Sequence, residues 1–262
     1  MKIITIKKTN NKYKITLENG ETISTYDEII LKTNILYTKE ITEEQLKTIT
    51  KENQYYEIYN KTLKYIKTKL RSEKEIEKYL EKTPLTEQQQ KNIIKNLKQQ
   101  KLIDDNIYVK AFIHDKILFS PDGPNKIKKE LQKQFSFDII EKEFSSIDKQ
   151  KIKEKLEKQI SKKINSNTKY SPKMLKQKIL YTFINMGYEK QDILEIIEKE
   201  PESNINIIEK EYYKQYNKLK TKYSNQELKT IIKQKLFQKG FEYDEINNIV
   251  NKKIAYEMNP LK

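Results

Sequence analysis

Along the first 25 residues apolar side chains alternate with polar ones, whereas beyond about residue 54 they return every three or four positions. The first pattern predicts strands. Ile4 and Ile6 alternate with polar neighbours, as do Tyr13, Ile15 and Leu17, and Ile23 marks a third short run. A period of two places each set on one face of a strand. Thr9-Asn10-Asn11 and Asn19-Gly20 supply turn chemistry between the runs. Residues 26–31 read as a short helix capped near Asp27. Thr42-Glu43-Glu44-Gln45 starts another, with Thr42 as cap and Gln45 closing a capping box. Residues 1–52 are therefore expected to form a small β-hairpin/β-sheet plus short-helix module.

The second pattern repeats itself. Ile76 and Leu80 lie one helical turn apart, and the pair returns as Ile127/Leu131, Ile179/Phe183 and Ile232/Leu236, at intervals of 51, 52 and 53 residues. A further apolar position follows each pair, at Ile94, Ile140, Ile193 and Ile246. Two copies share a helix end, Met186-Gly187-Tyr188 and Lys239-Gly240-Phe241, in which glycine suits the left-handed position after the last turn. Helix starts precede the pairs: Ser72-x-x-Glu75 and Ser224-x-x-Glu227 as capping boxes, Ser171-Pro172 and Gly123-Pro124 with proline at the first helical position. The expected fold is mainly α: elongated tandem three-helix repeats at 53–103, 104–150, 151–203 and 204–262 behind the N-terminal module. Each repeat leaves an apolar face that only a neighbour can cover.

Composition suits a narrow architecture. Hydrophobic and charged residues each make up 35% of the 262, and only 4 glycines and 6 prolines interrupt the pattern. With no cysteine there is neither disulfide nor thiolate metal site. The first eight residues lack the apolar core and cleavage site of a signal peptide. No stretch approaches the roughly 18 apolar residues of a membrane span. A cytoplasmic monomer with no membrane association is the expectation.

The net charge of +15 changes the picture more. Residues 1–50 are nearly neutral, so the excess lies on the helical body, where it suggests nucleic acid or an acidic partner; a merely solvated lysine surface is the plain alternative. Lysines fall opposite the apolar pairs at Lys74, Lys78, Lys128, Lys129, Lys176, Lys229 and Lys233. Arg71 is the one arginine in a lysine-rich chain, which points either to a bidentate contact with a partner or to an internal pair with Glu75. The tyrosines at 55, 56 and 59 and at 212, 213 and 216 suit base stacking or, at helical spacing, the core. His114 is the sole histidine, which leaves no histidine-based triad or multi-histidine metal site. Asp104-Asp105 precedes a helix and reads as a cap, with partner contact and metal binding as alternatives. The four glycines stand far apart, so no phosphate-cradling loop exists. Catalytic residues, cofactor and metal are all expected to be absent.

Three stretches carry a family resemblance. In residues 59–80, Lys69, Arg71, Ser72, Glu75, Ile76 and Leu80 follow a basic-x-Arg-Ser-x-x-Glu-aliphatic run. In 97–112, Leu97, Leu102, Ile103, Asp104, Asp105, Tyr108 and Phe112 follow an aliphatic-Asp-Asp-x-x-aromatic run, and Gly123-Pro124-x-x-Ile127-x-x-x-Leu131 comes next. In order and spacing these resemble the first two repeats of the RecX family, and residues 1–52 look like the extension of its longer Gram-positive members. Thr62, Val109 and Phe135-Ser136 depart from the pattern at packing positions. The resemblance implies a regulator of the RecA recombinase that lodges in the groove of the RecA–DNA filament. It would modulate, and mainly inhibit, filament growth, ATP hydrolysis, strand exchange and co-protease activity in DNA repair and the SOS response. The implied partners are the RecA filament and single- and double-stranded DNA, bound in a salt-dependent way. Candidate contacts are Arg71 and the seven lysines; Ser72, Glu75, Asp104, Asp105, Tyr108, Gly123 and Pro124 would be structural. A helical-repeat protein that binds DNA without RecA, and a helical scaffold for another protein, stand as alternatives.

Overall fold

The computed structural model describes residues 1–10, 12–199 and 206–258, with side chains through Lys253. Asn11 of the first expected turn and the expected division at 203/204 lie outside the described residues. Strands β1 (Ile3–Thr9), β2 (Lys12–Leu17) and β3 (Thr22–Thr25) form one antiparallel sheet in the order β1-β2-β3. Ile15 on the central strand faces Ile6 on one side and Ile23 on the other. The register slips between Ile3 and Thr5, so Ile4 is an extra residue in a bulge. Ile3 and Ile6 therefore both pack on the core, while Ile4 is 63% exposed. The expected alternation of Ile4 with Ile6 fails for that reason.

Helix α1 (Asp27–Thr33) has its N-cap one residue before the expected Asp27, at Tyr26, without a side-chain hydrogen bond. Asp27 sits in the first turn, where its carboxylate accepts from Lys8 at 2.9 Å. A single turn, α2 (Ile35–Thr38), follows. Helix α3 (Glu43–Thr68) opens with the expected box: Gln45 N donates to Thr42 Oγ1 at 3.1 Å and Thr42 N to Gln45 Oε1 at 2.9 Å. Its first half buries Ile49 with Ile15, Leu17 and Ile30; its second half buries Ile58 with Ile76 and Leu80. The position 52/53 thus falls inside one continuous helix.

Among the described residues twelve helices then come in threes, α3 being the first: α4 (Glu73–Leu80) and α5 (Glu87–Gln99); α6 (Asp105–Phe119), α7 (Pro124–Leu131) and α8 (Phe137–Ser145); α9 (Lys149–Asn165), α10 (Pro172–Asn185) and α11 (Lys190–Lys199); α12 (Ile207–Leu219), α13 (Asn225–Phe237) and α14 (Tyr243–Met258). All four repeating pairs are buried, from Ile76/Leu80 to Ile232/Leu236, and each belongs to a separate apolar cluster drawn from one stretch of chain. Helices α10 and α13 begin a turn earlier relative to their core pairs than α4 and α7, because Ser171 and Ser224 stand eight residues before Ile179 and Ile232 rather than four. Leu175 and Leu228 fill that turn against the core.

The chain divides into two compact units, residues 1–108 and 109–262. Within the second, the start of one helix meets the end of another twice. Gly123 N donates to Met186 O at 2.6 Å and Asn125 N to Gly187 O at 3.0 Å; likewise Ser171 N donates to Lys239 O at 3.0 Å. Gly187 and Gly240 hold φ of 89° and 84°, each closing its helix by the expected left-handed turn. A Cβ on Gly187 would lie 2.4 Å from Lys126 N, and one on Gly240 2.5 Å from Met174 Cβ. In the first unit Lys101 closes α5 in the same way, with φ 54°, its amide donating to Lys98 O and that of Leu102 to Leu97 O.

Gly187→Ala is expected to destabilise by at least about 2 kcal/mol, since it adds left-handed strain to a backbone clash. Lys101→Gly should stabilise by roughly 0.5–1 kcal/mol, because it relieves the strain alone. Urea midpoints read both.

Candidate interaction surface

Arg71 lies in the turn between α3 and α4 and points inward, with 13% of its side chain exposed. Its guanidinium carbon sits 3.8 Å from the centre of the Tyr65 ring, and Tyr65 in turn stacks on Tyr79 at 4.5 Å and 11°. Nη1 donates to Glu75 Oε1 at 3.2 Å, while Nε is buried with no hydrogen-bond partner. A desolvated cation over an aromatic face contributes roughly 1–2 kcal/mol, and the flat guanidinium suits a stack that an ammonium cannot reproduce. Arg71 thus joins the end of α3 to the start of α4.

Glu75 completes this corner. Its Oε2 accepts from Ser72 N at 3.1 Å, Ser72 Oγ accepts from Glu75 N at 3.2 Å, and Lys69 Nζ reaches Oε1 at 3.2 Å. Burial pushes the Glu75 carboxyl up, but the Ser72 amide, Lys69 and Arg71 outweigh it and hold the group below the usual carboxylate range. The two neighbouring aspartates divide their work. Asp104 Oδ1 accepts from Asn106 N at 2.8 Å at the start of α6, and these bonds lower its pKa despite some burial. Asp105 Oδ1 instead accepts from Glu73 N at 2.9 Å, capping α4 from 32 residues away. Adjacency in sequence hides that second role, because the two carboxylates serve different helices. Tyr108 is half-buried on α6; Gly123 and Pro124 begin α7 at the joint already described.

The seven lysines separate into two groups. Lys74 and Lys78 on α4, Lys129 on α7 and Lys176 on α10 are exposed. Lys128, Lys229 and Lys233 are half-buried. Lys128 pairs with Glu141 at 2.6 Å and lies 4.9 Å from the centre of the Phe144 ring; Lys233 donates to Asn247 at 2.6 Å. Helical position alone does not reveal these partners, which come from the next helix of the same repeat. Lys155, on α9, goes further inward and donates to the carbonyls of Lys116 and Asp122, with burial lowering its pKa.

The tyrosine triplets are largely internal. Tyr55 and Tyr59 stack at 6.5 Å and pack on the Ile58 cluster, Tyr56 packs on the sheet, and Tyr212 is fully buried and stacked on Tyr216 at 5.9 Å. His114 is an exposed imidazole beside Asp115. Among the described residues no group of three His, Cys, Asp or Glu side chains could hold a metal ion, and no helix is long and apolar enough to cross a membrane.

Arg71→Lys is expected to lower stability by about 1–2 kcal/mol in urea denaturation, since it keeps the charge and removes the planar stack. Glu75→Gln gives a pH signature. A depressed folded pKa contributes stability above the unfolded carboxyl pKa and loses it as pH falls through the folded value. The gap between wild type and Glu75→Gln should therefore be widest near neutral pH and narrow towards about pH 3.

No family model matches the chain. Curated relatives nevertheless span nearly all of it. Regulatory protein RecX of Streptococcus agalactiae serotype III (strain NEM316) is 33% identical over 254 residues, 95% of this chain and 98% of its own. Regulatory protein RecX of Oceanobacillus iheyensis is 26% identical over 267 residues, 98% of both chains. A crystal structure of regulatory protein RecX superposes with a TM-score of 0.65 at 23% identity, covering 76% of this chain and 99% of that one. The crystal structure of RecX from Lactobacillus salivarius reaches 0.53 at 26% identity, covering 56% and 97%. With one-third identity along almost the full length of both chains, this chain belongs to the family of regulatory protein RecX.

Proposed function

We propose that this chain regulates the RecA recombinase in the cytoplasm by lodging on the RecA–DNA filament. It restrains filament growth, and with it ATP hydrolysis, strand exchange and co-protease activity, without catalysing a reaction or using a cofactor. Kinship with regulatory protein RecX along nearly the whole chain is the observation that carries this reading. The charge supports it: the chain has 53 basic residues against 38 acidic, and helices at matching places in successive repeats expose Lys74, Lys78 and Lys129. Such a surface suits the phosphates and acidic faces of a nucleoprotein filament, and the attraction should fall with salt. Lys128 and Lys233, already engaged internally, contribute less than the exposed group.

RecA-dependent ATP hydrolysis on single-stranded DNA, titrated with this protein, tests the proposal. Hydrolysis should fall with added protein at low salt and recover as salt rises. Lys74→Glu with Lys78→Glu should weaken the effect several-fold without altering the urea midpoint, since both side chains are exposed. No change in hydrolysis, together with no retention on filaments at low salt, would sink it. A DNA-binding role that needs no RecA instead predicts the same affinity for single-stranded DNA whether RecA is present or not.

A further inference from the structure

Most of the two tyrosine triplets is folded away, whereas unit 109–262 leaves several other rings in solvent, Phe119, Phe137 and Tyr223 among them, and three of these rings lie on elements that meet: Tyr181 is 72% exposed, Phe237 65% and Tyr243 65%. They belong to elements that a single joint brings together, the Ser171 N to Lys239 O bond that seats the start of α10 against the α13–α14 turn. A groove of about 310 Å³ runs there between Lys173 and Gln177 on α10 and Phe237, with Gly240 and Phe241 among its lining. Tyr181 stands one turn beyond Gln177 on the same face of α10, because residues four apart overlie each other.

The position of Tyr181 in the repeat is what singles it out. It lies two residues before the second core residue, Phe183; the same place is held by Lys78 before Leu80 in α4 and by Lys129 before Leu131 in α7. Gln177 likewise answers to Lys74. The face that is cationic in the earlier repeats thus becomes aromatic in the third, and the extra first turn of α10 supplies Lys173 beside it. Lys173 is paired with Glu242 at 3.1 Å, but both are largely exposed, so a phosphate can compete for it. Aromatic rings interleaved with cations on a strongly basic chain suit single-stranded nucleic acid, whose bases stack and whose phosphates need countercharge.

We infer that Tyr181 and Phe237, flanking the groove between α10 and the α13–α14 turn, form a base-stacking site for single-stranded DNA, with Lys173 holding the adjacent phosphate. This rests on the nucleic-acid part of the function proposed above and locates it.

The chain contains no tryptophan, so Phe237→Trp installs a single reporter. Its fluorescence should be quenched by oligo(dT) at low salt. Tyr181→Ala with Phe237→Ala should weaken binding of labelled oligo(dT) about tenfold or more, while the slope of log affinity against log salt stays unchanged, because rings are lost and phosphate contacts kept. Both side chains are exposed, and unchanged circular dichroism and thermal midpoint confirm that the double variant folds. Oligo(dT) affinity equal to wild type in the double variant, with the indole emission of Phe237→Trp unaltered by the oligonucleotide, overturns the stacking site. So does a wild-type chain that restrains RecA yet does not bind oligo(dT), although the regulatory reading then survives. Loss of restraint on RecA with oligo(dT) binding intact would assign the rings to a protein contact and also overturn the inference. Loss of oligo(dT) binding with the quench present supports it, whatever becomes of the RecA assay.

Discussion

A helix begins with amides that have no partner inside it and ends with carbonyls in the same condition. In unit 109–262 the two needs answer each other: the amides of Gly123, Asn125 and Ser171 donate to the carbonyls of Met186, Gly187 and Lys239. The contact requires backbones to approach where any Cβ would intrude, and it is glycine that stands at Gly123, Gly187 and Gly240. A chain with 35% charged residues has little apolar area with which to join its repeats, so these backbone bonds set how neighbouring clusters meet. In unit 1–108 the start of α4 is served instead by side chains, the Ser72/Glu75 box and Asp105. One requirement, the satisfaction of helix starts, thus has two chemical solutions.

Charge has a different part in this molecule. Among the described residues most ion pairs keep at least one partner in solvent, and such pairs add little to stability. Those that matter for the fold are the few drawn inward. Arg71 is held between Tyr65 and Glu75, Lys239 reaches the buried Glu211 at 2.9 Å, and Lys155 binds two main-chain carbonyls. Other lysines, Lys74, Lys78, Lys129 and Lys176 among them, are exposed, and the proposed polyanionic partner would feel their sum rather than any one pair. Stability therefore draws on a small, inward-turned subset of the cations, and the proposed recognition would draw on the exposed ones.

Much of the architecture was legible from periodicity. The Ile/Leu pairs of the four repeats are buried where the spacing placed them, and Thr42, Ser72 and Ser171 cap the helices they precede. These are local matters: a 3.6-residue period, a hydroxyl facing an amide three residues on, a glycine that tolerates positive φ. The family motifs were legible for the same reason, since most of their members are caps and core positions of two adjacent helices.

What depended on distant partners could be read only from the fold. The bulge at Ile4 turns that side chain outward and brings Ile3 onto the core while Ile6 keeps its expected place, because register is settled by the strand opposite. The lone arginine could equally have faced a partner; the Tyr65–Tyr79 stack turned it inward. Tyr181 falls off the core stripe of Ile179 and Phe183 and is largely exposed, whereas Tyr212, amid lysines in sequence, is fully buried because α13 and α14 close over it. By itself the sequence determined that the chain is mainly helical behind a small sheet, where several of the helices begin, and that the chain is strongly basic, for those properties follow from nearest neighbours and from sums. Which lysines remain exposed and which rings face water was decided by tertiary structure, because each outcome depends on a second segment packing against the first.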